Sequence, residues 1–145
     1  MDSFDGDAGR DSIDFGIRAH FAISVDLGAG VATSATRDDT LVSIFDVSGT
    51  RFDDQLVGSA GPDRLGGGGG ADRLSGGAGK DRMFGGEDDD VLRGGSRLDQ
   101  LRGNEGRDRF YARDGEADAL FGGIGRDRAR IDLSLDTIEL VESLF

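Results

Sequence analysis

Aspartate recurs in this chain with a fixed period. Asp54, Asp63, Asp72, Asp81, Asp90, Asp99 and Asp108 lie nine residues apart; Asp118 comes one residue late and Asp127 resumes the count. Glycine keeps time with them, and most of the 26 glycines fall between Gly58 and Gly125. Evenly spaced carboxylates beside glycine-rich turns offer hard oxygen donors from side chains and turn carbonyls. Such donors suit calcium, which takes about six to eight oxygens in flexible geometry. Glycine serves because its backbone tolerates φ > 0 and can bring carbonyls inward. An EF-hand is a poorer account, since nothing matches D-x-[DN]-x-[DN]-G with a glutamate at the twelfth position.

Other chemistry fails residue by residue. His20 is the sole histidine, so H-E-x-x-H and Ser-His-Asp arrangements are absent. Gly79-Lys80 mimics a phosphate loop, but Leu74 and Asp81 occupy its first-glycine and Ser/Thr positions. The Gly66–Gly70 run lacks the long strand before it and the helix after it that a dinucleotide site needs. A pair of carboxylates could serve acid–base hydrolysis; their period assigns them to metal instead, and the chain is expected not to be an enzyme. With no cysteine there is neither a disulfide framework nor a thiolate nucleophile.

The elements that must position these aspartates are short. In 145 residues of net charge −12, Leu, Ile, Val and Phe make up about a quarter of the chain, just above the range where chains stay disordered for want of a core. The glycine content argues against helices. The charge argues against nucleic acid as a partner, and no apolar run is long enough to span a membrane. Met1–Asp5 lacks the basic and apolar regions of a cleavable signal peptide. Two residues after most of the periodic aspartates stands an apolar side chain: Leu56, Leu65, Leu74, Met83, Leu92, Leu101, Phe110 and Leu120, with Ala129 the small exception. Six residues of Gly and Asp are turn material; the remaining three suit a very short strand with one side chain inward. Two turns and two strands per 18 residues make a coil, and coils stack about 4.8 Å apart. The expected fold is all-β, with an inner apolar column and aspartates along two edges.

Written out, the units read GSAGPDRL from Gly58, GGGGADRL from Gly67, GGAGKDRM from Gly76, GGEDDDVL from Gly85, GGSRLDQL from Gly94, GNEGRDRF from Gly103 and GGIGRDRA from Gly122. This resembles the GGxGxDxUx nonapeptide of RTX (repeats-in-toxin) proteins, a calcium-binding parallel β-helix repeat. The resemblance covers residues 48–130, with an isolated unit, GDAGRDSI, within 5–13. It implies a right-handed parallel β-roll or β-helix, with each calcium ion between consecutive loops on one edge. The implied ligands are Asp63, Asp72, Asp81, Asp90, Asp99, Asp108 and Asp127. Backbone carbonyls of Gly58, Gly67, Gly69, Gly76, Gly85, Gly94, Gly103 and Gly122 join them, with Asp11 and Asp118 as weaker members. Arg97 at a glycine position resists φ > 0, and the unit ending at Asp118 holds an extra residue; sites using Asp99 and Asp118 are therefore expected to be weak or absent. Six same-edge pairs would take about six ions, enough to offset the net −12.

The flanks are strand-like. Phe21, Ile23, Val25 and Leu27 alternate with smaller and polar residues, and Leu41–Val47 reads as a second strand. Residues 1–47 are expected to form wider β-coils and 131–145 a capping strand or short helix over the open end, all in one continuous solenoid. Glu142-Ser143-Leu144-Phe145 is similar to the end of type I secretion substrates. The outward positions fall on two faces, one with Arg73, Arg93, Arg109, Tyr111, Arg128 and Arg130, the other with Arg64, Arg82, Phe84, Arg102 and Phe121. The reading is a secreted, extracellular calcium-binding module, monomeric or part of a larger chain, that folds on binding calcium. The alternatives are a calcium-dependent module for acidic polysaccharide, or a secretion and folding module of a larger secreted enzyme, engaging a type I secretion apparatus.

Overall fold

The computed structural model describes residues 3–6, 11–16, 20–35, 37–139 and 143–144, and these contain strands but no helix. The first part holds β1 (Ser3–Asp5), β2 (Asp11–Asp14), β3 (Ile23–Asp26), β4 (Val31–Ser34), β5 (Arg37–Val42) and β6 (Ile44–Ser48). The repeats supply β7 (Gln55–Val57), β8 (Arg64–Gly68), β9 (Arg73–Ala78), β10 (Arg82–Gly86), β11 (Val91–Ser96) and β12 (Gln100–Gly106). They continue with β13 (Arg109–Ala112), β14 (Ala119–Gly125), β15 (Arg128–Ile131), β16 (Thr137–Glu139) and β17 (Ser143–Leu144).

Alternate strands go to alternate sheets. The ten-stranded sheet runs β1-β5-β4-β3-β7-β9-β11-β13-β15-β17, and the seven-stranded sheet runs β16-β14-β12-β10-β8-β6-β2. From β7 onward every pairing is parallel, giving a solenoid of about 5 turns. In the first sheet Leu56, Leu74, Leu92, Phe110 and Ala129 stand in register; in the second, Val47, Leu65, Met83, Leu101 and Leu120 do. Both columns are buried and form one core. The period of nine thus places every inward side chain on its own copy two units away, as its spacing implies. Two large apolar side chains per coil is a thin core for eighteen ordered residues, so the loops between the sheets must contribute.

The strands are longer than the expected three residues. Pairing continues into the glycines, with Gly86 beside Gly68, Gly95 beside Gly77 and Gly123 beside Asn104. A parallel ladder needs only backbone, and residues without side chains can lie against each other there.

The flanks differ from expectation in detail. Leu41–Val47 is two strands rather than one: Ser43, at φ 57°, turns the corner between the sheets and resets the alternation, so that Leu41, Ile44 and Val47 are all buried. Coil β1–β2 stacks parallel on β5–β6. Between β5 and β7, β3 and β4 are inserted as an antiparallel hairpin with its turn at Gly30, φ 70°. At the other end neither helix nor lid forms among the described residues. β16 and β17 prolong both sheets, setting Ile138 beside Leu120 and Leu144 beside Ala129. Leu133 is 78% exposed and does not cover the column. Leu140, Val141 and Phe145, expected in the cap, lie outside the described residues, as does Glu142 of the Glu142–Phe145 segment. Among the described residues no helix is long and apolar enough to cross a membrane.

Leu92 stands in register between Leu74 and Phe110 and has no exposed surface. Leu92→Ala is expected to cost about 2–5 kcal/mol of stability, because a column held by fixed backbone spacing cannot collapse around the cavity. Denaturant unfolding in calcium measures it.

Candidate metal centres between stacked loops

Most loops from one sheet to the other begin with a buried glycine and end with a buried aspartate; the loop to Asp118 begins with Ala112 instead. In Gly67–Asp72 the second and fourth residues, Gly68 and Gly70, have φ 114° and 92°. That alternation curls the backbone around the aspartate. The same conformation recurs where the residue is not glycine: Asp88 has φ 75°, Arg97 has φ 84° and Asn104 has φ 78°. Arg97 therefore adopts the conformation that its side chain was expected to resist, held by the coils on either side.

The aspartate carboxyls form two ladders. On one edge Asp54 N–H donates to Asp72 Oδ1 (2.7 Å), Asp72 to Asp90 (2.8 Å), Asp90 to Asp108 (2.9 Å) and Asp108 to Asp127 (2.9 Å). On the other, Asp63 N–H donates to Asp81 Oδ1 (2.8 Å), Asp81 to Asp99 (2.9 Å), Asp99 to Asp118 (2.8 Å) and Asp118 to Asp136 (2.9 Å). The ladder passes through Asp99 and Asp118 without a break. The extra residue is taken up in the exposed stretch 113–117, where Gly115 N–H donates to Asp132 Oδ2. The acidic ladder itself is thus continuous through the loops of Asp99 and Asp118.

The second carboxylate oxygen divides the loops into two kinds. Oδ2 of Asp72, Asp81, Asp90, Asp99, Asp108, Asp118 and Asp127 is buried without a hydrogen-bond partner, as is that of Asp11, whose preceding residues 7–10 lie outside the described set. In the remaining loops it is satisfied from within. Thr50 N–H donates to Asp54 Oδ2 (2.6 Å), Ser59 N–H to Asp63 Oδ2 (2.5 Å) and Asp132 N–H to Asp136 Oδ2 (2.7 Å). Those donors occupy the second loop position, where Gly68, Gly77, Gly86, Gly95, Asn104 and Gly123 have positive φ in the open loops. Asp63, grouped by sequence with its successors, thus sits in a self-closed loop, with Ser59 Oγ also 3.0 Å from Oδ2.

An unpartnered buried carboxylate oxygen is costly unless a cation meets it. A side-chain carbon added at Gly67 would overlap Asp72 Oδ2 and lie 2.7 Å from the carbonyl of Gly85. At Gly103 it would overlap Asp108 Oδ2 and lie 2.6 Å from the carbonyl of Gly122. The first glycine of one loop thus lies against its aspartate's Oδ2 and the first carbonyl of the next loop, which brings oxygens of successive coils close together. The leading glycines Gly58, Gly67, Gly76, Gly85, Gly94, Gly103 and Gly122 are all buried. Gly69 is not: a side chain there would meet only Arg51 and Glu87 at ordinary contact distance. Among the described residues no three acidic, histidine or cysteine side chains converge on one point. Any ion must therefore be held largely by carbonyls, a donor set that fits calcium. Asp54 and Asp136 were left out of the ligand set deduced from the repeats, yet both belong to the ladders; Asp136 stands nine residues after Asp127, so the same count would have found it.

The electrostatics point the same way. Burial pushes the carboxyls of Asp72, Asp99 and Asp118 up from 3.8 to about 7, Asp81 and Asp108 to about 6 and Asp90 to about 8. The backbone N–H that each accepts works against this, and neighbouring carboxylates add to it. Ionising a carboxyl raised to about 7 costs roughly 4 kcal/mol in the fold. Because the folded values lie above the unfolded one, the cation-free fold is most stable below about pH 4 and loses stability as pH rises through 6 to 8. In chelator, circular dichroism is therefore expected to show more strand signal at pH 5 than at pH 8; the opposite order would contradict it.

A search of curated proteins finds no match to the chain. A family model, the RTX calcium-binding nonapeptide repeat in four copies, matches residues 48–83, 84–116 and 93–129. The matched span takes in more than half of the chain and all the loops with unpartnered oxygens from Asp72 to Asp127. Periodic loops, parallel coils and loop oxygens drawn close between successive coils agree with that match, and the chain belongs to the RTX calcium-binding repeat family.

Proposed function

We propose that this chain is an extracellular module that folds when calcium binds between its stacked loops, and that it performs no catalysis of its own. The observation that carries the reading is the set of unpartnered Asp Oδ2 atoms facing carbonyls of the next loop. When bound, calcium supplies positive charge that ties carboxylate and carbonyl oxygens of successive coils together. The chain's own part is to present them: aspartates anchored through Oδ1 to the backbone of the preceding coil, and glycines that leave room. Extracellular calcium modules work at about 10⁻⁴–10⁻³ M, so a chain of this kind would stay open inside a cell and close outside it. That behaviour suits passage through a type I secretion apparatus and a place within a larger secreted protein.

Calcium titration followed by circular dichroism tests this. The strand signal is expected to appear cooperatively with calcium at pH 7.5 and to vanish in chelator, and an unchanged spectrum would overturn the reading. Within the array, Asp90→Asn is expected to remove more calcium, counted by calorimetry, than Asp63→Asn, because only Asp90 has an oxygen without a protein partner. Equal losses would show that the two kinds of loop bind alike.

A further inference from the structure

The two loop edges of the solenoid differ in character. The loops that lead from the ten-stranded to the seven-stranded sheet end at Asp63, Asp81, Asp99, Asp118 and Asp136, which the backbone ladder holds one above another. The residue before each aspartate therefore forms a column: Pro62, Lys80, Leu98, Ala117 and Leu135, all exposed. Two residues earlier stand Ala60, Ala78, Ser96 and, in the last loop, Leu133. Leu98 is 43%, Leu135 46% and Leu133 78% exposed. The calcium reading uses none of these side chains. A single exposed leucine is ordinary, but an aligned apolar strip on a strongly acidic chain marks a contact surface. On the opposite edge the matching places hold Asp53, Asp89, Arg107 and Arg126, next to Glu87 and Asp88.

The strip reads nearly the same in both directions from Leu98. One coil away stand Lys80 on one side and Glu116-Ala117 on the other. Two coils away stand Ala60 and Pro62 on one side, Leu133 and Leu135 on the other. A two-fold axis through the loop of Leu98 sets Leu98 against its own copy, Lys80 against Glu116, and apolar end against apolar end. Such self-complementarity is what an isologous contact requires. Coils about 4.8 Å apart keep two such strips in step over a length of about 19 Å. The charges fix the register, because a shift of one coil would face Lys80 with Leu98 or with Leu135. Arg97, in the central loop, comes within one coil of Asp114 and Glu116 across the axis, and Arg113 is drawn to Asp132 of its own chain (4.0 Å). The same operation on the opposite edge would press Glu87, Asp88 and Asp89 towards their own copies, and like charges there oppose contact.

Two chains of net charge −12 repel each other, and the loops that carry the strip end in the aspartates that calcium would neutralise. We propose that in calcium two copies of this chain associate side by side and antiparallel through this edge, with Leu98 at the two-fold axis and Lys80 facing Glu116 of the partner subunit. This rests on the calcium reading above. A strip of this length lies at the small end of specific interfaces, so the association is a micromolar one rather than a permanent dimer.

The test is sedimentation velocity of the full chain in calcium, with circular dichroism recorded on every variant. A dimer that grows with concentration across the micromolar range is expected, and none in chelator. Lys80 is the sole lysine, so a charge exchange is clean. Lys80→Glu alone and Glu116→Lys alone should each weaken association about tenfold, and the two together should restore it to within about threefold. If Lys80→Glu loses the calcium-loaded spectrum, Leu98→Glu, which would face its own copy, carries the test with the same expected loss. The chain has no cysteine, so an introduced one reports its neighbour. With oxidised glutathione, Leu98→Cys should link two chains about tenfold faster than Asp89→Cys on the opposite edge, because the axis holds the two thiols together. A chain that folds in calcium yet stays monomeric at submillimolar concentration overturns the interface alone. So do equal linking at the two cysteines, a double exchange no better than the single ones, or an unchanged dimer in Leu98→Glu. A chain with no calcium-dependent spectrum overturns the calcium reading and this proposal with it.

Discussion

The structure depends on a carboxylate with one oxygen tied to the backbone of the preceding coil and the other left with no protein partner. From Asp72 to Asp127 that arrangement repeats on both edges. The Oδ1 bond sets the vertical spacing of the loops; Oδ2 makes that spacing unfavourable unless a proton or a cation is present. A fold with a large core could absorb such a burden. This one buries two substantial apolar side chains per coil, so its stability is set as much at the loop edges as in the column between the sheets.

The two kinds of loop give the array a direction. At the start, Thr50 and Ser59 donate backbone N–H and hydroxyl groups to Asp54 and Asp63, and near the other end Asp132 closes on Asp136. Between them the second position is glycine or asparagine at positive φ, except in the longer loop before Asp118, and the carboxylate stays open. The self-closed loops satisfy their aspartates by themselves, so the demand for cations is concentrated in the middle of the solenoid. The charged surface is uneven as well: Arg64 and Arg102 on the seven-stranded sheet stack on aromatics, while Arg107, Arg109, Arg126 and Arg128 stand beside Asp90, Asp108 and Asp127.

Much of this was legible before any coordinates. The period of nine determined that Leu74 would lie on Leu92 and Asp72 near Asp90, because a coil of two units returns the chain to the same place. Glycine at the head of most loops announced a place where side chains cannot stand. The departures were read less well. Arg97 was expected to spoil its loop, but local preference costs little against the constraint of coils on both sides. Ser43 gave no sign that it would split Leu41–Val47 across two sheets, since alternation is counted within a strand and a corner resets it.

What the sequence by itself determined was therefore the repeat: its period, its inward column and its acidic edges, all consequences of residue type at regular spacing. What only the tertiary structure decided was the use of each oxygen and each arginine. Asp63 and Asp81 occupy the same place in the repeat, yet one is closed by the backbone N–H and hydroxyl of Ser59 while the Oδ2 of the other has no partner. Arg64 and Arg109 also hold equivalent places, yet one meets Asp46 and Phe84 while the other faces a groove. Periodicity places residues on a lattice; what each one meets depends on neighbours eighteen residues away in the chain and on loop conformations that regular spacing does not encode.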